Sequence, residues 1–134
     1  MTDTLSPEER SRNMANIRSR GNAATELRFL YILRKYKIAG WRRGIPLPGK
    51  PDFVFPFARV AVFIDGDFWH GNPKSFRLPK TNVEYWKAKI EGNRKRDRRI
   101  NAILKSRGWK VLRFWQSSLD KEYLVVRRLK HILN

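Results

Sequence analysis

Cysteine is absent from the 134 residues of the chain. That removes disulfides, thiolate metal sites and cysteine nucleophiles together, and accords with a reducing compartment. Histidine is scarce, with two residues, so metal chemistry must rest on oxygen ligands or on His70 and His131. Acidic side chains number 12 against 30 Lys and Arg, a net charge of +18. A chain so poor in acid has a polyanion as its expected partner. Nucleic acid comes ahead of an anionic membrane, because no Lys/Arg-faced amphipathic helix stands apart from the rest. Long apolar runs are also missing: nothing approaches the ~18–20 residues of a membrane helix, and the opening MTDTLSPEERSRN lacks the apolar stretch of a signal peptide. A soluble cytoplasmic protein is the expectation.

What is present suits one small domain. Hydrophobic residues make up 41% and aromatics 13%, enough for a single core and too much for a disordered chain. The five Trp lie among many cations. They can stack on or wedge between bases, although in a small domain most aromatics are core. Ribosomal, architectural and nuclease functions all remain compatible with this composition.

Residues 1–20 read as a basic N-terminal arm. Ser6 can cap a helix, Pro7 fits its first position and Glu8 and Glu9 complement its dipole, so a short helix is predicted to about Ile17. Its Arg-rich sequence offers little more than Met14 and Ile17 to dock, as in a frayed terminus or a segment that orders on DNA. Residues 21–134 read as one α/β domain. From Ala23 the positions Leu27, Leu30, Tyr31, Leu33 and Ile38 predict a core helix ended by Gly40, with Glu26 at the border of its apolar stripe.

A strand is predicted over Trp41–Ile45, a rigid turn over Pro46–Lys50 and a short β run over Pro51–Phe55. The run Arg59–Asp65 is apolar on both faces, as in a central buried strand. A long helix is predicted from about Asn82 to Arg107 on the stripe Val83, Trp86, Ile90, Asn93, Asp97, Ile100 and Leu104. Its middle is polar where apolar residues belong. With Arg94, Lys95, Arg96, Arg98 and Arg99 around them, Asn93 and Asp97 mark either a solvated charged face or a face turned to a cleft. Trp109–Trp115 reads as another strand and Leu119–Leu133 as a terminal helix.

The candidate chemistry sits where these strands end. Hydrolysis of a phosphodiester with Mg²⁺ needs carboxylate oxygens on rigid elements, and Asp52 and Asp65 qualify if their strands are neighbours. His70, a few residues on, can take the proton of the attacking water. Each residue has a plainer alternative. Asp52 can cap a turn, His70 can be an ordinary polar contact, Phe68 and Trp69 can be core, and Asp67 can be a metal ligand, a loop cap or neither.

A resemblance extends over nearly the whole chain. Arg12-Asn13-Met14 with Ile17, Glu26, Leu47-Pro48-Gly49-Lys50-Pro51-Asp52-Phe53, Val62-Phe63-Ile64-Asp65-Gly66-Asp67-Phe68-Trp69-His70, Glu84-Tyr85-Trp86, Lys89-Ile90 with Asn93, Arg96-Asp97-Arg98-Arg99 and Gly108-Trp109-Lys110-Val111-Leu112 occur in order and at similar spacing. In this the chain resembles the very-short-patch repair (Vsr) DNA mismatch endonuclease family. The resemblance implies a restriction-endonuclease-like three-layer α/β fold, with a central mixed β-sheet flanked by helices. It implies a Mg²⁺-dependent nick in one strand of double-stranded DNA at a T:G mismatch, leaving a 3′ hydroxyl and a 5′ phosphate. Asp52 and the Ile64 backbone carbonyl would then hold the metal, Glu26 its outer waters, and His70 would be the general base. Asp65 joins the catalytic and metal-binding set as a second carboxylate. Met14 in the arm, Phe68, Trp69 and Trp86 as an aromatic wedge, and Asn93, Arg96, Arg98 and Arg99 are the expected DNA contacts.

The departures from the family pattern are specific. Where the family usually carries the cysteines and histidine of a structural zinc site, this chain has Asp67, Asn72, Lys74 and Ser117, so no structural Zn²⁺ is expected. The loop is then expected to be held by packing of Pro73, Phe76 and Leu78. Ile64 stands for the usual threonine and Asp65 for a usual histidine. These changes leave open a mobile-element (homing-type) or restriction nicking endonuclease, or a DNA-binding module with decayed catalysis. A monomer is expected, since a single-strand nick needs one active site.

Overall fold

The computed structural model describes residues 23–67, 71–72 and 77–134. The predicted arm and its helix lie outside these residues. Helix α1 (Ala23–Lys35) is followed by strands β1 (Phe53–Phe55) and β2 (Val60–Asp65), helix α2 (Val83–Ser106), strand β3 (Lys110–Trp115), a 3-10 turn over Gln116–Asp120, and helix α3 (Glu122–Leu133). The sheet order is β1-β2-β3, with β1 antiparallel and β3 parallel to β2. This is the mixed sheet flanked by helices that the resemblance implies. Among the described residues no helix is long and apolar enough to cross a membrane.

The doubly apolar run forms the central strand, because both of its faces are covered. Val60 and Val62 join the cluster beneath α1 and α3, where Phe29 packs against Phe53 at 4.9 Å and Phe114 at 5.7 Å between ring centroids. Ala61 and Phe63 pack against Leu104 of α2 on the opposite face. Alternation along the strand therefore turns Ile64 to the α1 side and Asp65 to the α2 side.

Two expectations need correction. The core face of α1 is Thr25, Phe29, Ile32 and Leu33, whereas Leu27 and Tyr31 are 61% and 57% exposed. Two apolar stripes share this helix, and the one bearing the phenylalanine meets the sheet. The strand expected over Trp41–Ile45 is only one bridge, in which Arg42 and Val54 exchange bonds of 2.7 and 2.8 Å. Gly40 (φ +91°) and Gly44 (φ +72°) take the chain out of extended geometry on both sides.

The turn after this bridge forms as predicted, with Lys50 N–H donating to the Leu47 carbonyl at 3.0 Å. Gly49 is needed there: its φ is +80°, and a Cβ would stand 2.6 Å from Ile100 Cγ2 on α2. The long helix also forms, and its polar middle faces inward, with Asn93 buried and Asp97 half-buried. The predicted terminal helix is divided, its first residues forming the 3-10 turn.

Candidate active site

The antiparallel register of β1 on β2 brings the residue before β1 beside the last residues of β2. Asp52 N–H donates to the Val62 carbonyl at 2.9 Å, and the Asp52 carboxylate accepts the Ile64 N–H at 2.7 Å. In an extended strand the N–H and C=O of one residue point to the same neighbour. The Ile64 carbonyl therefore opens to the same edge as Asp52, beyond the end of β1. The Pro-Asp turn delivers a carboxylate to a place where a backbone carbonyl is also available.

Burial pushes the Asp52 carboxyl up to about 7 from its ordinary 3.8. The Ile64 N–H opposes this, while the charges of Glu26 and Asp65 and a hydrogen bond shared with Glu26 add to it. Glu26 comes from the first turn of α1 and is itself held by Arg43 at 2.6 Å. Gathering carboxylates at a mostly buried position costs stability without a cation. Among the described residues no three His, Asp or Glu side chains meet closely enough to hold an ion by themselves. A hard ion that keeps several waters and takes one or two carboxylates with a carbonyl fits this donor set, as Mg²⁺ does.

Asp65 leaves β2 on the other face and meets a cation there. Arg113 Nη1 lies 2.9 Å from Asp65 and 3.7 Å from Asp97, Arg113 Nε donates to Asn101 at 2.9 Å, and the guanidinium stacks 4.1 Å from the Phe63 ring. The polar middle of α2 thus faces an arginine of β3 on the same side of the sheet. Arg113 and Asn101 are absent from the sequence-derived site. Their signal was an arginine within the β3 strand, whose neighbour in register is Phe63, two residues from Asp65.

The loop after β2 returns at Gly71 and Asn72. Asp67 Oδ1 accepts from Asn72 Nδ2 at 3.2 Å and from Ser117 Oγ at 3.1 Å. The hold visible among the described residues is therefore polar; Pro73 and Phe76 lie outside them, and Leu78 is 39% exposed. An open cleft of about 520 Å³ runs from the start of α1 to this loop, between Thr25, Arg28, Asp67 and Ser117.

His70, Phe68 and Trp69 lie outside the described residues, as does Met14. Trp86 is half-buried and meets the exposed Tyr85 edge-on, with ring centroids 5.0 Å apart. Arg96, Arg98 and Arg99 are exposed on α2, whereas Asn93 is 7% exposed and turned inward.

Comparison with known proteins identifies the family. The family described as DNA mismatch endonuclease Vsr matches residues 2–75. The Type II nicking enzyme V.XorIIP of Xanthomonas oryzae pv. oryzae is 40% identical over 136 aligned positions, spanning 100% of this chain and 98% of that protein. The Type II nicking enzyme V.NaeI of Lentzea aerocolonigenes is 42% identical over 92% of this chain and 78% of its own length. The DNA mismatch endonuclease Vsr of Escherichia coli K12 is 38% identical over 89% of this chain and 76% of its own length. With Asp52 held against Ile64 at the end of β2 and this similarity along the chain, the protein belongs to the Vsr family of DNA endonucleases and acts on DNA as a nicking enzyme.

Proposed function

We propose that this enzyme uses Mg²⁺ to nick one strand of duplex DNA at T:G mismatches, the first step of very-short-patch repair. The observation that carries the reading is Asp52, a mostly buried carboxylate placed against Ile64 with Glu26 and Asp65 near it, in a chain of net charge +18. Asp52 and the Ile64 carbonyl would hold the ion, with Glu26 receiving its outer waters and Arg43 orienting Glu26. Asp65 is the candidate second carboxylate, and its ion pair with Arg113 fixes its direction. Bound Mg²⁺ supplies charge stabilisation to the phosphate and acidifies water.

His70 takes a proton from the attacking water as its oxygen bonds to phosphorus. The bond from phosphorus to the 3′ oxygen breaks, and that oxygen takes a proton from solvent, leaving a 3′ hydroxyl and a 5′ phosphate. Phe68, Trp69 and Trp86 form the wedge at the mismatch, while Met14 in the arm and Asn93, Arg96, Arg98 and Arg99 contact the duplex. One site suffices for one nick, so the enzyme acts as a monomer, in the cytoplasm.

A second reading is a nicking enzyme associated with restriction. The names of V.XorIIP and V.NaeI favour it, and both are at least as similar to this chain as the mismatch endonuclease is. Strand-resolved cleavage of matched and T:G-mismatched duplexes, in a shared randomised context with Mg²⁺ present or withheld, decides between them. A Mg²⁺-dependent nick confined to the mismatch supports repair. Equal cutting of matched DNA would transfer the assignment to the second reading.

A further inference from the structure

A second polar cluster fastens the carboxyl ends of β2 and β3, on residues that the scheme above leaves without a task. Asp67 Oδ1 is its hub, accepting from both Asn72 and Ser117. The first bond closes a short span also pinned by Asn72 N–H donating to the Asp67 carbonyl at 2.8 Å. The second reaches 50 residues along the chain to the 3-10 turn after β3. Asn72 is 4% exposed. Its neighbour Gly71 is held from α2, where Arg94 donates to the Gly71 carbonyl. A Cβ at Gly71 would stand 2.8 Å from Ile90 Cγ2, so the returning chain lies directly on that helix. A carboxylate suits the hub, since it accepts several bonds and strengthens each by its charge.

We propose that Asp67 is a positioning residue for the nicking reaction. Its clasp with Asn72 and Ser117 keeps the returning loop and the end of β3 in fixed relation to the end of β2. The inference rests on the nuclease reading above. Ile64 and Asp65 precede Asp67 by three and two residues, and His70 precedes Asn72 by two. The candidate metal carbonyl and the candidate base therefore connect to the clasp from opposite sides. Release of the clasp frees Asn72 and the turn after β3 to shift against Ile64 at the end of β2, and misplacement near 1 Å is enough to slow a reaction on the order of 100-fold. Duplex affinity comes from cations elsewhere and is left nearly intact.

The test is single-turnover cleavage of the same matched and mismatched duplexes by the full chain, with duplex affinity and thermal unfolding measured alongside. Asp67→Ala is expected to slow cleavage on the order of 10- to 100-fold with little change in affinity. Asp67→Asn keeps an oxygen that can accept both bonds and is expected to recover most of the rate. Ser117→Ala is expected to slow cleavage less, and to add nothing in the Asp67→Ala background. Cleavage at the wild-type rate by Asp67→Ala would overturn the proposal. So would a folded Asp67→Asn as slow as Asp67→Ala, or independent losses from the two alanine changes. If Asp67→Ala does not fold, Asp67→Asn and Ser117→Ala decide: wild-type cleavage by Ser117→Ala then overturns it. A wild-type protein inert toward every duplex would bring down the nuclease reading and this inference together.

Discussion

The Ile64 backbone N–H donates to the Asp52 carboxylate across 2.7 Å, joining the residue before β1 to the end of β2. The bond holds an acid where burial and two further carboxylates oppose its charge. It also turns the Ile64 carbonyl toward the same edge. A site that is unfavourable when empty of cation and has oxygen donors on rigid backbone is suited to metal-dependent hydrolysis.

Asp52→Ala is expected to abolish cleavage, with a loss on the order of 10³-fold or more, because the ion loses its anchoring charge. Duplex affinity should be kept or strengthened, since a negative charge facing phosphate is removed. Retained cleavage would sink the metal-site assignment. Cleavage absent from wild type and variant alike, with tight duplex binding, would favour a decayed binding module.

The Asp52 carboxyl, raised from 3.8 to about 7, makes stability depend on pH. Because the folded value lies above the unfolded one, its contribution is fully present below about pH 4 and lost as pH rises through 7. The loss amounts to at most about 4 kcal/mol in metal-free protein. Mg²⁺ favours the charged form, so it should raise the unfolding temperature more at alkaline than at acidic pH. Thermal unfolding with and without Mg²⁺ checks this, and an equal increment at both would contradict the assignment.

Arg113 is the cation between Asp65 and Asp97, with its side chain 18% exposed. Arg113→Met should destabilise the fold by about 3 kcal/mol, since two carboxylates are left without it. Arg113→Lys should recover only part, because a single ammonium cannot bond Asn101 and Asp65 in the same fork. Denaturant unfolding measures both; a change below about 1 kcal/mol for the methionine variant would place the ion pair outside the stability of the fold.

Duplex affinity should fall on the order of 10³-fold between low and physiological salt, as several phosphate contacts release counterions. Arg98→Ala and Arg99→Ala, on the exposed face of α2, should each reduce the salt slope by about one. Titrations at several salt concentrations give the slope. An affinity insensitive to salt would contradict a phosphate-binding role for the +18 charge.

The long elements were legible because their patterns are local. Val60–Asp65 is apolar on both faces, and a strand of that kind has to lie centrally. The inward Asn93 and Asp97 of α2 were visible as polar residues on an otherwise apolar stripe. Periodicity does not single out the core face of helix α1, since Leu27–Tyr31 and Phe29–Ile32–Leu33 have similar spacing and only contact with the sheet selects one. Trp41–Ile45 has the composition of a strand, yet pairing stops at Arg42.

The sequence by itself determined the charge, the lack of thiol ligands, the family and the acids Glu26, Asp52 and Asp65 as candidates. These follow from composition and from motifs whose residues lie close together in the chain. Tertiary structure decided which groups meet: Asp52 with Ile64, Asp65 with Arg113, and Asp67 with Ser117, which lie 12, 48 and 50 residues apart. The physical reason is one of range. Helix and strand periodicity act over a few residues, whereas a hydrogen bond or ion pair forms wherever strand register and helix packing bring its two ends within about 3 Å.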